Sequence, residues 1–237
     1  MLNIKMIRSL ISFWVNHIHP KISSLITTIG IVGLVISLSI LFILTELAHE
    51  VLEKDAFDFD ESILLSIHSV ANPYLDRVML TVTHLANPTA VLVVFGVSSL
   101  LLLWQRYYIE LVMLAIASFG AYILNTELKL LFVKVRPQLW TQLITETSFS
   151  FPSGHALGSI VLYGFIAYLL AKEYSKFAAL IYTVATTLIA AIGLSRLYLG
   201  VHWPTDIIAG YGVGFLWLIS CITMLKLRRV EQGSETV

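Results

Sequence analysis

Long apolar stretches separated by short polar loops make up most of the sequence. A helix that crosses about 30 Å of hydrocarbon needs about 20 mostly apolar residues, because each residue advances the helix by about 1.5 Å. Six stretches meet or nearly meet this requirement, at approximately 22–45, 87–105, 107–130, 154–171, 177–195 and 206–225. The sequence therefore predicts an all-α integral membrane bundle of six transmembrane helices, organised as a single domain over residues 1–237.

The composition supports a membrane location. Hydrophobic residues make up 57% of the chain and charged residues only 13%, whereas an ordinary soluble domain carries about 25% charged residues. A soluble chain with so few charges would be unable to cover its surface with polar groups. Basic and acidic residues balance at 15 each, and Cys221 is the one cysteine. These features exclude a nucleic-acid-binding protein, a disordered chain and a disulfide-rich secreted module, and they make membrane lipids the expected partners.

The basic residues of the short loops predict the orientation, because such residues concentrate on the cytoplasmic side of a membrane. One side carries nine of them: Lys5, Arg8, Lys21, Arg106, Lys172, Lys176, Lys226, Arg228 and Arg229. The other side carries six: Lys54, Arg77, Lys129, Lys134, Arg136 and Arg196. We therefore expect the N-terminal segment 1–21 and the C-terminal tail 226–237 to be cytoplasmic, and the second side to be extracytoplasmic.

The segment 46–86, between the first and second spans, is much longer than the other loops of that side. It begins with acidic residues and continues with Leu75, Val78, Met79 and Val82 at helical spacing. This pattern is typical of a helix that lies on the membrane surface or against a helix bundle. We expect a short amphipathic helical connector on the extracytoplasmic side. A packed connector is the simpler interpretation, and a lid or a gate for lipids is the alternative.

Three clusters of charged residues and histidines lie near the ends of spans on this same side, where such residues are functional candidates. The first cluster is Lys129 and Arg136, which is followed by Pro137. If the third helix continues that far, the two basic side chains lie two turns apart on one face. Two positive charges would then point in the same direction.

The second cluster, Pro152-Ser153-Gly154-His155, opens the fourth span. Serine is a favoured N-cap residue, and glycine lets the backbone approach a ligand closely. The free N–H groups and the positive end of the helix dipole would point outward at an anion. His155, in the first turn, would lie beside whatever is bound.

The third cluster is Ser195-Arg196, followed by His202 and Asp206. Pro204 suits the first position of the sixth span, so that the carboxylate lies about one turn beyond the imidazole. Asp206 can accept a hydrogen bond from the proton-bearing nitrogen of His202. This fixes the tautomer and leaves the other nitrogen as a nucleophile. The planar guanidinium of Arg196 suits phosphate oxygens.

Together, three cations, a helix N-terminus and two histidines make a site for a tetrahedral oxyanion, and phosphate is the obvious candidate. Phosphoryl transfer needs electrostatic clamping of the oxygens, an in-line nucleophile and a proton donor for the leaving group. Three basic side chains could replace the charge that Mg²⁺ often supplies, and one well-placed acid, Asp206, argues against a two-metal site. We therefore expect no metal and no cofactor. Spacing leaves open which histidine is the nucleophile, although Asp206 favours His202.

The three clusters, in this order and at these spacings, resemble the three-part signature of the type-2 phosphatidic acid phosphatase family. That family includes lipid phosphate phosphatases, bacterial phosphatidylglycerophosphate and undecaprenyl-diphosphate phosphatases, soluble bacterial acid phosphatases and vanadium haloperoxidases. The matching positions are Lys129, Arg136-Pro137, Pro152-Ser153-Gly154-His155, Ser195-Arg196, His202 and Asp206. Every signature position is filled, and six spans with the signature on one side extend the resemblance to nearly the whole chain.

The resemblance implies a metal-independent, two-step hydrolysis. His202 would attack phosphorus and form a phosphohistidine, with Asp206 orienting it, and His155 would protonate the departing oxygen and then activate water. The phosphoryl oxygens would be held by Lys129, Arg136, Ser153, Gly154 and Arg196. The expected substrate is a membrane lipid phosphate or diphosphate, such as phosphatidic acid, phosphatidylglycerophosphate or undecaprenyl diphosphate, cleaved on the extracytoplasmic face of a bacterial inner membrane.

Two alternatives use the same residues. A lipid phosphotransferase would pass the phosphoryl group from the histidine to a hydroxyl acceptor other than water, and a transporter for anionic lipid or phosphate would bind the anion without cleaving it. Lys134 lies between signature positions but outside the pattern, and we expect it to be a solvated charge.

Overall fold

The computed structural model describes residues 19–53 and 58–235, and all regular secondary structure within these ranges is helical. The α-helices are α1 His19–Glu53, α2 Asp58–His68, α3 Pro73–His84, α4 Pro88–Trp104, α5 Tyr108–Phe132, α6 Gly154–Glu173, α7 Ala178–Tyr198 and α8 Pro204–Glu235. A 3₁₀ turn, Ser175–Phe177, precedes α7. The expected cytoplasmic segment 1–21 lies almost entirely outside the described residues, and α8 continues as helix into the expected tail.

Up to six segments of the described chain can cross a membrane. Five are long and apolar enough alone: Gly30–Glu53, Tyr108–Phe132, Gly154–Glu173, Ser175–Tyr198 and Pro204–Arg229. Helices α3 and α4, counted together as one segment bent by 47°, give the sixth candidate. The bend has a local cause, because Pro88 has no N–H to donate and begins a new helix after Asn87. The all-α bundle with six predicted spans is confirmed, with a broken second span.

The first span lies further along the chain than the predicted 22–45. Gly30 interrupts α1 with a φ of 78°, a conformation that favours glycine, and the helix then runs to Glu53. Its last turns stay helical because Leu47 and Val51 are buried against Ala209 and neighbouring apolar side chains. The acidic beginning of the expected connector is therefore part of this helix.

The connector contains two helices, α2 and α3, where the sequence predicts one amphipathic segment. Asn72 caps α3, since its Oδ1 accepts from the backbone N–H groups of Tyr74 and Leu75 at 3.1 and 3.0 Å. Leu75 and Met79 pack against a buried apolar cluster at the end of α7. The Tyr198 hydroxyl of α7 donates to Asp76 at 2.7 Å. These contacts pack α3 against the bundle.

The largest buried cluster lies between α5, α6 and α8. Its members are Met113, Leu114, Ala117, Ala121, Leu157, Val161, Leu162, Phe165, Leu218, Cys221 and Leu225. At Gly210 of α8, an added Cβ would lie 2.7 Å from the carbonyl oxygen of Ser153. Because glycine permits this close approach, the beginnings of α6 and α8 lie side by side.

Many large apolar side chains of α1 and α4 are exposed, including Ile31 at 74%, Phe42 at 66% and Leu92 at 69%. In water, apolar surface of this extent is unfavourable, whereas in a bilayer it contacts lipid. The exposed faces therefore agree with a multi-pass membrane protein.

Candidate active site

His202 and Asp206 form a buried pair at the beginning of α8. The Nδ1 atom of His202 lies 3.1 Å from Oδ2 of Asp206, and the Trp203 backbone N–H donates to the same oxygen at 2.9 Å. Both side chains are almost completely buried, at 1% and 0% exposure. The predicted contact between the imidazole and the carboxylate is therefore present in the fold.

The neighbours of His202 determine where its proton lies. Asp206 accepts on the Nδ1 side, and Nη1 of Arg136, which can only donate, lies 3.2 Å from Nε2. Nδ1 therefore carries the proton and Nε2 keeps a lone pair directed at the cations. Burial lowers the pKa of His202 well below its ordinary value, and the charges of Arg136, Arg196 and Lys129 lower it further. The imidazole is neutral at physiological pH.

Lys129 and Arg136 meet through a loop and do not share a helix face, so the assumption of a continuous third helix is wrong. Helix α5 ends at Phe132, because Val133 adopts a left-handed conformation with φ 49°. The loop backbone then brings the cations together. Arg136 donates through Nε to the Ser148 carbonyl at 2.8 Å, and Lys129 donates to the Ser148 hydroxyl at 3.2 Å and to the Phe149 carbonyl.

Arg196 is buried at 1% exposure near the end of α7. Its Nη1 donates to the Thr83 hydroxyl at 2.8 Å, and its Nη2 pairs with Glu146. The other carboxylate oxygen of Glu146 lies 4.0 Å from Nη2 of Arg136. Glu146 thus bridges two of the three predicted phosphate-binding cations. Sequence reasoning missed it because it lies in an irregular loop outside any motif spacing.

The start of α6 is fixed from two sides. The Ser153 hydroxyl accepts from the Ala156 N–H at 3.4 Å, which is the predicted N-cap contact. Gly154 lies against α5, where an added Cβ would be 2.8 Å from Oδ1 of Asn125. Close packing to Asn125 therefore requires glycine at this position.

His155 follows in the first turn of α6 and contacts Asn87 at the break between α3 and α4. Its Nε2 lies 2.8 Å from Oδ1 of Asn87. His155 is also close enough to Arg196, Arg136 and His202 to interact with them electrostatically. Asn87 was not identified from the sequence, although an Asn-Pro pair at the start of a span was its available signal.

Lys134 is not a solvated charge, so this expectation is wrong. Its side chain is only 17% exposed, and its ammonium lies 3.2 Å from Oδ1 of Asp206. It also donates to the Thr205 hydroxyl at 2.7 Å and lies 3.6 Å from Asp60. The lysine pairs with the carboxylate that contacts His202.

Positive charge at the site comes from side chains. Within residues 19–53 and 58–235, no group of three or more His, Cys, Asp or Glu side chains is arranged to hold a metal ion. The predicted residues Lys129, Arg136, Arg196, His155, His202 and Asp206 form one electrostatically connected set. This set can bind an anion beside a neutral imidazole.

An apolar groove of about 490 Å³ lies between α4, α5 and α6 and reaches the site. Its walls include Val91, Phe95 and Tyr122, and its lining extends to Gly154 and His155. A ligand with an apolar chain in this groove would place its polar end beside His155.

Comparison with known proteins identifies the family. Residues 107–229 match the PAP2 superfamily. The chain is 35% identical to phosphatidylglycerophosphatase B of Bacillus subtilis over 164 residues, which cover 66% of this chain and 78% of that protein. It is 34% identical to an undecaprenyl-diphosphatase of Sulfolobus acidocaldarius over 145 residues, covering 57% of this chain and 66% of that one.

Comparison with solved structures supports the same family. The crystal structure of a transmembrane PAP2-type phosphatidylglycerolphosphate phosphatase from Bacillus subtilis matches with a TM-score of 0.73 and 28% identity, covering 79% of this chain and 94% of that one. LpxE of Aquifex aeolicus matches with a TM-score of 0.59 and 21% identity over 70% and 96% of the two chains, which shows the shared fold. The chain therefore belongs to the PAP2 superfamily and is a multi-pass membrane lipid phosphatase.

Proposed function

We propose that the chain, as a single domain, removes the terminal phosphate of a lipid phosphate or diphosphate through a phosphohistidine on His202, without a metal. Phosphatidic acid, phosphatidylglycerophosphate and undecaprenyl diphosphate are the candidate substrates. One observation carries this proposal: the neutral His202 is fixed by Asp206 at Nδ1 and directs Nε2 at Arg136. Such an imidazole is prepared for attack on an anion that the same cations hold.

In the first step, Nε2 of His202 uses its lone pair to form a bond to phosphorus. The bond from phosphorus to the leaving oxygen breaks, and that oxygen keeps the electron pair and takes the proton from Nδ1 of His155, which enters the step as an imidazolium beside the bound phosphate and leaves it as a neutral imidazole. Asp206 stabilises the imidazolium character that develops as the N–P bond forms. Lys129, Arg136 and Arg196 balance the negative charge on the three phosphoryl oxygens.

In the second step, a water oxygen attacks phosphorus and gives a proton to His155. The N–P bond breaks and returns its electron pair to Nε2, so that inorganic phosphate leaves and His202 is restored. The N-terminus of α6 at Ser153 and Gly154 contributes backbone N–H groups toward the phosphoryl oxygens. Asn87 holds His155 through Nε2 during both proton transfers.

The apolar groove supports a lipid substrate. Its lining is mostly apolar, and it extends to Gly154 and His155, where the leaving oxygen would be protonated. Burial of an acyl or isoprenyl chain there would provide binding free energy that a small phosphate ester lacks.

The orientation follows from the basic residues of the sequence. Three of the six basic residues on the less basic side, Lys129, Arg136 and Arg196, belong to the proposed site. Without them, the positive-inside rule contrasts nine residues with three. We infer an extracytoplasmic site and cytoplasmic termini in a bacterial inner membrane.

The test is phosphate release by the detergent-purified protein from the three candidate lipids, with a metal chelator present. We expect activity with at least one lipid, and a loss of at least about 10³-fold in His202→Ala. His49→Ala is the matched control, because His49 is exposed and pairs with Glu53 along α1. Activity that survives His202→Ala would contradict the mechanism. Phosphate on an added alcohol would indicate a transferase, and lipid movement across vesicles without cleavage would indicate a transporter.

A further inference from the structure

A buried charge network lies behind the proposed nucleophile, on the far side of Asp206. Oδ2 of Asp206 accepts hydrogen bonds from Nδ1 of His202 and from the Trp203 N–H. Its other oxygen, Oδ1, lies 3.2 Å from the Lys134 ammonium. The Asp206 side chain has no exposed surface, so water does not solvate its charge. Lys134 supplies the opposite charge that a buried carboxylate requires.

Lys134 is itself held by the connector. It donates to the Thr205 hydroxyl at 2.7 Å, and that hydroxyl donates to Asp60 of α2 at 2.7 Å. The Thr205 backbone N–H donates to the other oxygen of Asp60 at 3.0 Å, and Asp60 lies 3.6 Å from the ammonium. The network joins three parts of the chain that are distant in sequence, at residues 60, 134 and 205.

We propose that Lys134 is a positioning residue that keeps Asp206 ionised, and that Asp60 of the connector shares the Lys134 charge and so weakens this effect. This inference rests on the proposed function, in which His202 is the nucleophile. It assigns the connector a direct part in the electrostatics of the site.

The position of one proton decides whether His202 can attack phosphorus. An ionised Asp206 can only accept hydrogen bonds, so Nδ1 of His202 carries the imidazole proton and Nε2 keeps its lone pair. A protonated Asp206 would instead donate to Nδ1, and the neutral imidazole would then carry its proton on Nε2. That tautomer has no lone pair available to attack phosphorus. Loss of the lysine charge therefore removes the nucleophile without removing His202.

Lys134 and Asp60 act on Asp206 with opposite sign. Lys134 favours the ionised carboxylate, whereas Asp60 is a second negative charge beside the same ammonium. Burial raises the pKa of Asp60 above its ordinary value, although Thr205 and Lys134 oppose that rise. Asp206 also interacts with His202, Arg136 and Lys129, which lie toward the phosphate site and stay unchanged in the Lys134 and Asp60 variants below.

The test is the pH dependence of kcat for phosphate release in mixed micelles of detergent and the wild type's best lipid among the three candidates. Lys134→Met, Lys134→Arg, Asp60→Asn and His202→Ala are compared with wild type. Lys172→Met is the matched control, because Lys172 is exposed at the end of α6. Ionisation of the substrate affects all variants equally, so differences between profiles report on the protein.

We expect the acidic limb of the Lys134→Met profile to move to higher pH by about one unit or more, with at least about tenfold lower kcat at neutral pH. Lys134→Arg should restore most of the activity and the wild-type limb, because it keeps the charge. Asp60→Asn should move the limb in the opposite direction, to lower pH. A general loss of packing would not produce shifts of opposite sign.

A Lys134→Met profile that matches wild type in limb and kcat would overturn the inference. If Lys134→Met does not fold, Asp60→Asn decides: a limb at lower pH supports the inference, and an unmoved or higher limb contradicts it. His202→Ala separates the two proposals, because its full activity would contradict the proposed function whatever the other variants show. An inactive His202→Ala with unshifted profiles contradicts the role of Lys134 alone.

Discussion

The two halves of the site are built in different ways. His202 and Asp206 belong to one short segment, are fully buried and have hydrogen-bond or ion-pair partners on both sides. Lys129, Arg136 and Arg196 come from two helices and a loop, and they contact loop oxygens and Glu146. The nucleophile half is thus fixed before substrate binds. The cation half holds an internal carboxylate between two of the groups that would bind phosphate.

The largest expected effect on activity concerns the nucleophile half, which consists of His202 and Asp206. Asp206→Asn preserves the shape of the side chain but can donate an N–H to Nδ1 of His202, which would place the imidazole proton on Nε2. We expect kcat to fall by about 10³ to 10⁴-fold, as for the corresponding change in a Ser-His-Asp triad. The measurement is phosphate release at a saturating concentration of lipid.

The control for that variant is Asp76→Asn, because Asp76 is a carboxylate of the connector that accepts from the Tyr198 hydroxyl of α7, which is not a proposed site residue. Activity of Asp206→Asn within tenfold of wild type would mean that the imidazole is not fixed by this carboxylate.

A smaller effect is expected in the cation half. Glu146→Gln removes the negative charge between Arg136 and Arg196 while keeping a polar side chain in the loop. Inorganic phosphate no longer has to displace a carboxylate, so its inhibition constant should decrease by about tenfold, corresponding to about 1.4 kcal/mol. The measurement is competitive inhibition of lipid hydrolysis by phosphate.

Glu61→Gln, at an exposed position of α2, is the matched control and should leave phosphate inhibition unchanged. Weaker inhibition in Glu146→Gln would show instead that Glu146 organises the arginines for phosphate.

The smallest effect is on stability. Because the folded state holds His202 neutral, with its pKa below that of the unfolded chain, unfolding takes up a proton at mildly acidic pH. The contribution is present above the unfolded pKa of about 6.5 and is lost as pH falls. The temperature at the midpoint of thermal unfolding of wild type should be lower at pH 5.5 than at pH 7.5. His202→Asn should reduce that fall by about 2–4 °C. An equal fall in both proteins would contradict a neutral, buried His202.

The sequence predicted the geometry of the nucleophile half better than that of the cation half. The four-residue step from His202 to Asp206 is local, and a proline-initiated helix gives it one geometry, so the contact follows from spacing. The expected meeting of Lys129 and Arg136 is present, although a loop at Ser148 provides it and a continuous helix does not. Here the signature predicted which residues meet, while the structural reason was different.

The residues that the sequence analysis missed, Asn87 and Glu146, and the one that it misassigned, Lys134, have partners far away in the chain. Lys134 is bound to Asp60 and Asp206, Asn87 to His155, and Glu146 to Arg196. None of these pairs has a helical spacing, so a single sequence offers no periodicity that could predict them. The break at Asn87-Pro88 was similarly hidden, because α4 alone has 17 apolar-rich residues and reads as an unbroken span.

Direct detection of the phosphorylated enzyme tests the central claim, that His202 accepts the phosphoryl group. Purified wild-type protein is mixed with lipid carrying a radioactive terminal phosphate, quenched in base within milliseconds, and the labelled peptide is identified. We expect an acid-labile, base-stable label on the peptide that contains His202, and no label in His202→Ala. A label on His155 or on any other residue, or an unchanged label in His202→Ala, would contradict it.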